Sequence, residues 1–257
     1  MRTFSIRQSR RHLITFTLLG APGSGKGTYG ALLAEALQCP LISTSDILRH
    51  ESQASWSNNQ GNLNDTMNTG KLVDDTRVSE IMNKELNQIL DKQHNSSTSV
   101  LLLDGYPRTV KQLQQMLRFW PEPHVAIQIN VPDDICVAKI SGRRQCSLCK
   151  GNFNITDIHQ WHGFTMPPTL PQRSKPPCWN QCKGNYTSFF TVRQDDSDES
   201  IVTSRIKLYH EQTIPVMEWY RQQKKLLTFT PYLGKDDFHI LEQTVREWLK
   251  EENMTNK

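Results

Sequence analysis

Residues 20–28 read Gly-Ala-Pro-Gly-Ser-Gly-Lys-Gly-Thr and follow an apolar, β-branched run from Leu13 to Leu19. A strand that feeds a glycine-rich turn and then a helical stretch, Ala31 to Leu37, leaves a chain few folds to choose from. Glycines let the backbone curl so that its N–H groups line a concavity for phosphate. The helix that follows adds its positive dipole end. Lys26 can reach the outer phosphates as a point charge. The general pattern places Ser or Thr directly after the lysine, whereas here Gly27 holds that place and Thr28 follows.

The chain of 257 residues can bury a sizeable core in one or two domains. A net charge of +4 is too mild to argue for nucleic acid or a membrane surface, and no apolar stretch is long enough to span a bilayer. Residues 1–12 contain Arg2, Arg7, Arg10 and Arg11 and no acid. That composition suits an organelle transit peptide and equally a frayed basic tail, so the expected location is mitochondrial or cytoplasmic.

Short apolar runs recur at Leu41–Ser43, Val100–Leu103, Val125–Val131 and Leu226–Phe229. Helical periodicity separates most of them, over Leu72–Leu90, Val110–Phe119, Ile201–Gln223 and Asp236–Lys250, and Pro132-Asp133-Asp134 opens a further helix. Alternating β and α elements predict an α/β fold, a parallel P-loop sheet with helices on both faces. Ligands then bind beyond the carboxyl ends of the strands. Two regions break the rhythm: the Asn- and Ser-rich residues 50–69, and residues 142–193, which hold four cysteines and several prolines. Both read as insertions mounted on the sheet.

Further motifs line up along the chain. Ser43-Thr44-Ser45-Asp46-Ile47-Leu48-Arg49 follows a short strand, with Asp46 a candidate helix cap. Leu103-Asp104-Gly105-Tyr106-Pro107-Arg108-Thr109 sets a carboxylate at a strand end and then presents an arginine. Asp104 could cap a helix, but beside a P-loop it suits a hydrated Mg²⁺. Arg108 suits bidentate phosphate binding. Arg143, Arg144, Arg193 and Arg205 are either solvated charges or groups that neutralise a transferring phosphoryl.

In combination these segments resemble the adenylate kinase family of nucleoside monophosphate kinases. Residues 20–28 are similar to that family's own P-loop variant, which accounts for Gly27. Ser43–Arg49 resembles its Ser-Thr-Gly-Asp-x-Leu-Arg, with Ser45 in place of the glycine. Gly70-Lys71-Leu72-Val73, Asp104–Thr109 and Arg193-Gln194-Asp195-Asp196 resemble its remaining signatures, in family order. The resemblance implies a core over 13–43, 74–141 and 194–257, a monophosphate-binding insertion over 44–73 and a LID over 142–193. It implies ATP on Gly23, Ser24, Gly25, Lys26, Gly27 and Thr28, with Arg143, Asn152 and Phe153 from the LID side. AMP would be held by Thr44, Arg49, Lys71, Leu72, Val73, Gly105, Arg108 and Gln112, together with Arg193 and Arg205. Lys26, Arg108, Arg143, Arg193 and Arg205 would be catalytic. Lys139 stands where long-LID members place an arginine against the donor base. A lysine stacks less well than a guanidinium, which opens GTP as a donor. The expected reaction is ATP + AMP ⇌ 2 ADP with Mg²⁺, by a monomer that binds neither nucleic acid nor membrane. A nucleotide-binding scaffold without turnover is the alternative.

Cys146-x2-Cys149 and Cys178-x3-Cys182 have spacings that suit tetrahedral structural Zn²⁺. Four unliganded thiols are the alternative, and His159 or His162 could replace one cysteine. Residues 142–193 have too few apolar side chains for a core of their own, so a metal would hold the insertion in shape. Cys39 and Cys136 read as core fillers.

Overall fold

The computed structural model describes residues 13–54, 66, 69, 72–92, 99–120, 124–148, 151–171 and 189–255. Its centre is a five-stranded sheet in the order β10-β4-β1-β3-β2, every pairing parallel. The strands are β1 (Leu13–Leu19), β2 (Leu41–Ser43), β3 (Ser99–Asp104), β4 (His124–Ile129) and β10 (Leu226–Phe229). All of β1 is buried, as a strand covered on both faces must be. Ile14, Phe16 and Leu18 pack with Tyr29 and Leu33 of α1 (Lys26–Leu37) and with Leu241 and Val245 of α8 (Phe238–Thr255). Phe16 also meets the Trp248 ring edge-on at 5.3 Å.

The opposite face carries Leu13 and Leu19. Leu13 packs with Val78, Ile81, Met82 and Leu86 of α3 (Asp75–Lys92). Leu19 packs with Leu113 of α4 (Val110–Phe119) and with Val216, Met217 and Tyr220 of α7 (Ile214–Gln222). Truncating one of these fully buried side chains, such as Phe16→Ala, would cost about 3–5 kcal/mol.

The remaining elements are α2 (Thr44–Ala54), α5 (Asp133–Ser141), α6 (Glu199–Leu208) and two small antiparallel units. One unit orders β6 (Asn152–Asn154), β5 (Arg143–Cys146) and β9 (Phe190–Thr191); the other is the hairpin of β7 (Ile158–Trp161) and β8 (Phe164–Met166). Among the described residues, no helix is long and apolar enough to cross a membrane.

Three sequence expectations change. The period over Ile201–Gln223 is interrupted by a π-helical turn at Tyr209–Thr213, just before Pro215. Proline cannot donate the interior helical bond, and the wider turn accommodates that loss. Asp46 is not a cap: α2 begins at Thr44, and the Ser43 hydroxyl accepts from the Asp46 N–H at 3.4 Å. The described part of 142–193 does not stand apart from the main core. Ile158, Phe164 and Met166 are buried in the same cluster as β1 and α1, so the sheet lends this segment its core.

Candidate active site

The site lies beyond the carboxyl ends of β1 and β3, flanked by β4, where the chain's crossovers diverge. Register places Asp104 beside Leu18, so the carboxylate that ends β3 stands next to the loop that leaves β1. That loop turns through Gly23 at φ 89° and Gly25 at φ 96°, which favour glycine. At Gly23 a Cβ would fall 2.3 Å from the Cys136 carbonyl oxygen, so only glycine lets α5 back the loop this closely. No side chain caps α1, which leaves its first N–H groups for a ligand. The Ser24 hydroxyl is buried with no partner among the described residues. An orphan donor in this place fits a phosphate oxygen.

Lys26 folds back over the loop, its Nζ donating to the carbonyls of Gly20 at 2.7 Å and Ala21 at 2.9 Å. Burial lowers its pKa to about 8, with the charges of Arg108 and Arg205 adding to the effect and Asp104 opposing it. The Asp104 carboxyl is raised by burial, against the pull of Lys26 and Arg108. A Cβ at Gly27 would sit 3.3 Å from an Asp104 carboxylate oxygen. The glycine after the lysine therefore leaves room between α1 and this acid, and a hard carboxylate here fits a hydrated Mg²⁺.

Arg108 is folded over the backbone that presents it. Its Nε donates to the Gly105 carbonyl at 2.8 Å and its Nη2 to the Ser45 hydroxyl at 3.2 Å. Gly105, at φ 74°, makes this possible, since a Cβ there would lie 2.7 Å from the guanidinium. Burial lowers the Arg108 pKa. The Thr44 hydroxyl donates to the Asp104 carbonyl at 3.2 Å. Gln112 is buried in the first turn of α4, which Thr109 caps. Its Oε1 accepts from the Arg108 N–H at 2.8 Å and its Nε2 donates to Asp75 at 2.8 Å. One amide proton and one lone pair remain for a base edge. Val73 is buried nearby, in one cluster with Ile42 and Leu48.

The other arginines close the far side. Arg143 clamps Asp196 through two bonds, Nε at 2.6 Å and Nη2 at 2.5 Å. Arg205 donates to the same carboxylate at 2.8 Å and to the Asp195 carbonyl at 2.9 Å, and it pairs with the Asp195 carboxylate at 3.1 Å. Arg49 reaches Asp195 at 4.0 Å, which links α2 to this cluster. Arg193 donates to Asn152 at 2.8 Å; burial and the charges of Arg143 and Arg49 lower its pKa to about 10. Phe153 stacks on Phe190 at 5.4 Å. The structure thus brings Arg205 beside Arg143 at the Asp196 carboxylate. Sequence reasoning quoted Asp195 and Asp196 within a motif but gave them no role. Two adjacent acids one residue beyond Arg193 were the available signal.

Lys71, Cys149, Cys178 and Cys182 lie outside the described residues. Cys146 is buried, and its N–H bonds the Gly151 carbonyl at 3.0 Å in a turn after β5. Among the described residues no three metal-ligating side chains cluster. His162 is engaged by Asp134 at 2.7 Å, and His159 is exposed on β7. A cavity of about 450 Å³ lies elsewhere, lined by Asp133, His162, Tyr209, His210 and Tyr232, and none of the phosphate-site residues faces it.

A family model described as "Adenylate kinase" matches residues 18–225. The chain is 30% identical over 238 residues to a GTP:AMP phosphotransferase of Plasmodium falciparum, covering 92% of this chain and 98% of the relative. It is 35% identical to an adenylate kinase of Fervidobacterium nodosum, covering 82% and 87%. It is 33% identical to a chloroplastic adenylate kinase of Arabidopsis thaliana, covering 84% and 72%.

Proposed function

Because the chain belongs to the adenylate kinase family, we propose that it transfers the γ-phosphoryl group of ATP reversibly to AMP, giving two ADP. The observation that carries this reading is the convergence of Lys26, Asp104 and Arg108 on one loop, faced by Arg143, Arg193 and Arg205. An AMP α-phosphate oxygen attacks the γ-phosphorus in line, and the bond from that phosphorus to the β–γ bridging oxygen breaks. The attacking oxygen is already ionised and the bridging oxygen leaves with the bonding pair as an anionic oxygen of ADP, so no proton moves and no general base is required. The protein contributes position, charge neutralisation and exclusion of water.

Gly23 to Thr28 would hold the donor phosphates, with Lys139, Asn152 and Phe153 toward its base. Thr44, Arg49, Lys71, Leu72, Val73, Gly105, Arg108 and Gln112 would hold AMP. Arg143, Arg193 and Arg205 would surround the transferring group. Residues 44–73 would be the monophosphate-binding insertion and 142–193 the LID. Asp104 would hold a hydrated Mg²⁺, which would supply charge compensation at the phosphates. Zn²⁺ would be structural, on Cys146, Cys149, Cys178 and Cys182, and the burial of Cys146 beside a tight turn is consistent with a ligand there. The basic residues 1–12 support a location in the mitochondrion or the cytoplasm, and the protein would act as a monomer.

Lys139 also favours a second donor, GTP, and a relative bears the name GTP:AMP phosphotransferase. Steady-state turnover across ATP and GTP with AMP, UMP and CMP, with and without Mg²⁺, tests the assignment. No ADP formation from any pair would favour a scaffold without turnover and end the reading.

A further inference from the structure

Arg108 is held at both ends of its backbone and at two points on its side chain. Its N–H donates to Gln112 Oε1 at 2.8 Å and its carbonyl accepts from the Thr213 hydroxyl at 3.0 Å. Its Nε donates to the Gly105 carbonyl at 2.8 Å and its Nη2 to the Ser45 hydroxyl at 3.2 Å. A guanidinium is rigid and planar, so two points in its own plane settle which way it faces. They leave the Nη1–Nη2 edge, whose two parallel N–H groups match two phosphate oxygens. Of these contacts, the one from Ser45 comes from α2. Ser45 lies in the first turn of that helix, and Arg49 stands four residues on, on the same face. The neighbouring Thr44 hydroxyl donates to the Asp104 carbonyl at 3.2 Å, so α2 meets the turn at 104–108 through two adjacent side chains. Burial depresses the Arg108 pKa most, and the charges of Arg205 and Arg49 add to that effect against Asp104. Those influences are consistent with three guanidiniums gathered about one small volume.

We propose that Ser45 is a positioning residue for the acceptor phosphate, its hydroxyl turning the free edge of the Arg108 guanidinium toward the phosphate that Arg49 also holds. This role deepens the proposed kinase function and rests on it. Ser45 takes the place of the signature glycine, which has no hydroxyl, so the contact belongs to this chain and not to the shared motif. A serine oxygen accepts through its lone pairs, and an arginine side chain loses rotamer freedom when it is ordered. Ser45 imposes that order before a phosphate arrives, so less is lost on binding. Without the hydroxyl, Nε alone holds the group and the guanidinium swings about its Cδ–Nε bond. Once seated, the phosphate orders the guanidinium itself, so the loss falls on KM for AMP and not on kcat.

The test measures kcat and the KM values for AMP and ATP in wild type, Ser45→Ala and Ser45→Thr, with adenosine as a competitor of AMP. Alanine is the best helix former, so α2 should stay folded. Expected for Ser45→Ala is a rise of about three- to tenfold in KM for AMP, the worth of one hydrogen bond, with kcat and KM for ATP within about twofold of wild type. Ser45→Thr keeps the hydroxyl and should restore KM for AMP to within about twofold of wild type. Adenosine has the base and ribose without the phosphate, so its inhibition constant should be the same in all three proteins. A KM for AMP within about twofold of wild type in Ser45→Ala overturns the proposal. A rise shared by KM for ATP or by adenosine overturns it too, as does a failure of threonine to restore KM, since each marks a merely structural role. A wild-type protein inert toward every donor would instead defeat the kinase assignment, and calorimetric binding of AMP against adenosine would then still read the effect of Ser45→Ala.

Discussion

Asp196→Asn is the most informative single change, because one buried carboxylate anchors two of the arginines assigned to the transferring phosphoryl group. The Asp196 side chain is fully buried, while those of Arg143 and Arg205 are 22% and 18% exposed. Three charged bonds converge on it, two from Arg143 and one from Arg205. Breaking a buried pair costs about 3–5 kcal/mol, since the partner charges remain and lose their counterion. Asparagine keeps the volume and one acceptor oxygen, so the expected loss is at the lower end, about 3 kcal/mol. For a chain of this size that lowers Tm by about 6–12 °C. The freed guanidiniums also lose their aim, which should reduce kcat by about a hundredfold.

The pH dependence supplies an independent check. Burial pushes the Asp196 carboxyl up, but the hydrogen bonds from Arg143 and the charges of Arg143 and Arg205 outweigh it, so the net shift is downward. A depressed carboxyl contributes stability above its unfolded pKa of about 3.9 and loses it as pH falls through the folded value. The stability gap between wild type and Asp196→Asn should be full at pH 7 and narrow below about pH 4. Thermal melts at several pH values, with turnover at pH 7, measure both quantities. A Tm loss under about 2 °C with kcat within twofold of wild type would refute the anchoring argument.

Lys26→Ala and Arg108→Ala should each reduce kcat by orders of magnitude in a folded protein, since charge contacts of this kind are worth several kcal/mol in the transition state. Retention of more than about a tenth of wild-type turnover would show the role to be misassigned. Because the Lys26 ammonium is held near a pKa of about 8, donor binding by the free protein should weaken as pH rises above that value. Calorimetric titration of Lys26→Met should show a flat dependence over the same range. AMP should be preferred to UMP and CMP through the remaining donor and acceptor of Gln112, and Gln112→Met should erase most of that preference; equal kcat/KM for AMP and UMP in wild type would count against it. Protein purified under reducing conditions should carry close to one zinc per chain, with loss of metal and of LID stability on Cys146→Ser. A zinc content near zero that added Zn²⁺ does not raise would exclude the site.

Much of the site was legible because its parts are local. The loop at 20–28, the strand-end Asp104 and the Arg108 turn each depend on neighbours in sequence, and glycine positions record where backbone must bend or pass close. The alternation of apolar runs and helical periods likewise implied a parallel sheet, since strands buried on both faces must be apolar throughout. Pairing across distance was not legible. Nothing local says that Asp196 binds both Arg143 and Arg205, or that Gln112 is shared between Asp75 and the Arg108 backbone, because those contacts follow from how strands and helices are ordered around β1. The hairpin at 158–166 shows the same division. Its residues read as part of a core-poor insertion, yet Ile158, Phe164 and Met166 are buried, because apolar side chains are counted along the chain but packed in space. Sequence by itself determined the phosphate loop, the α/β alternation and the family. Only the tertiary structure decided which charges meet and where the hairpin rests, since a contact energy depends on distance through space and not along the chain.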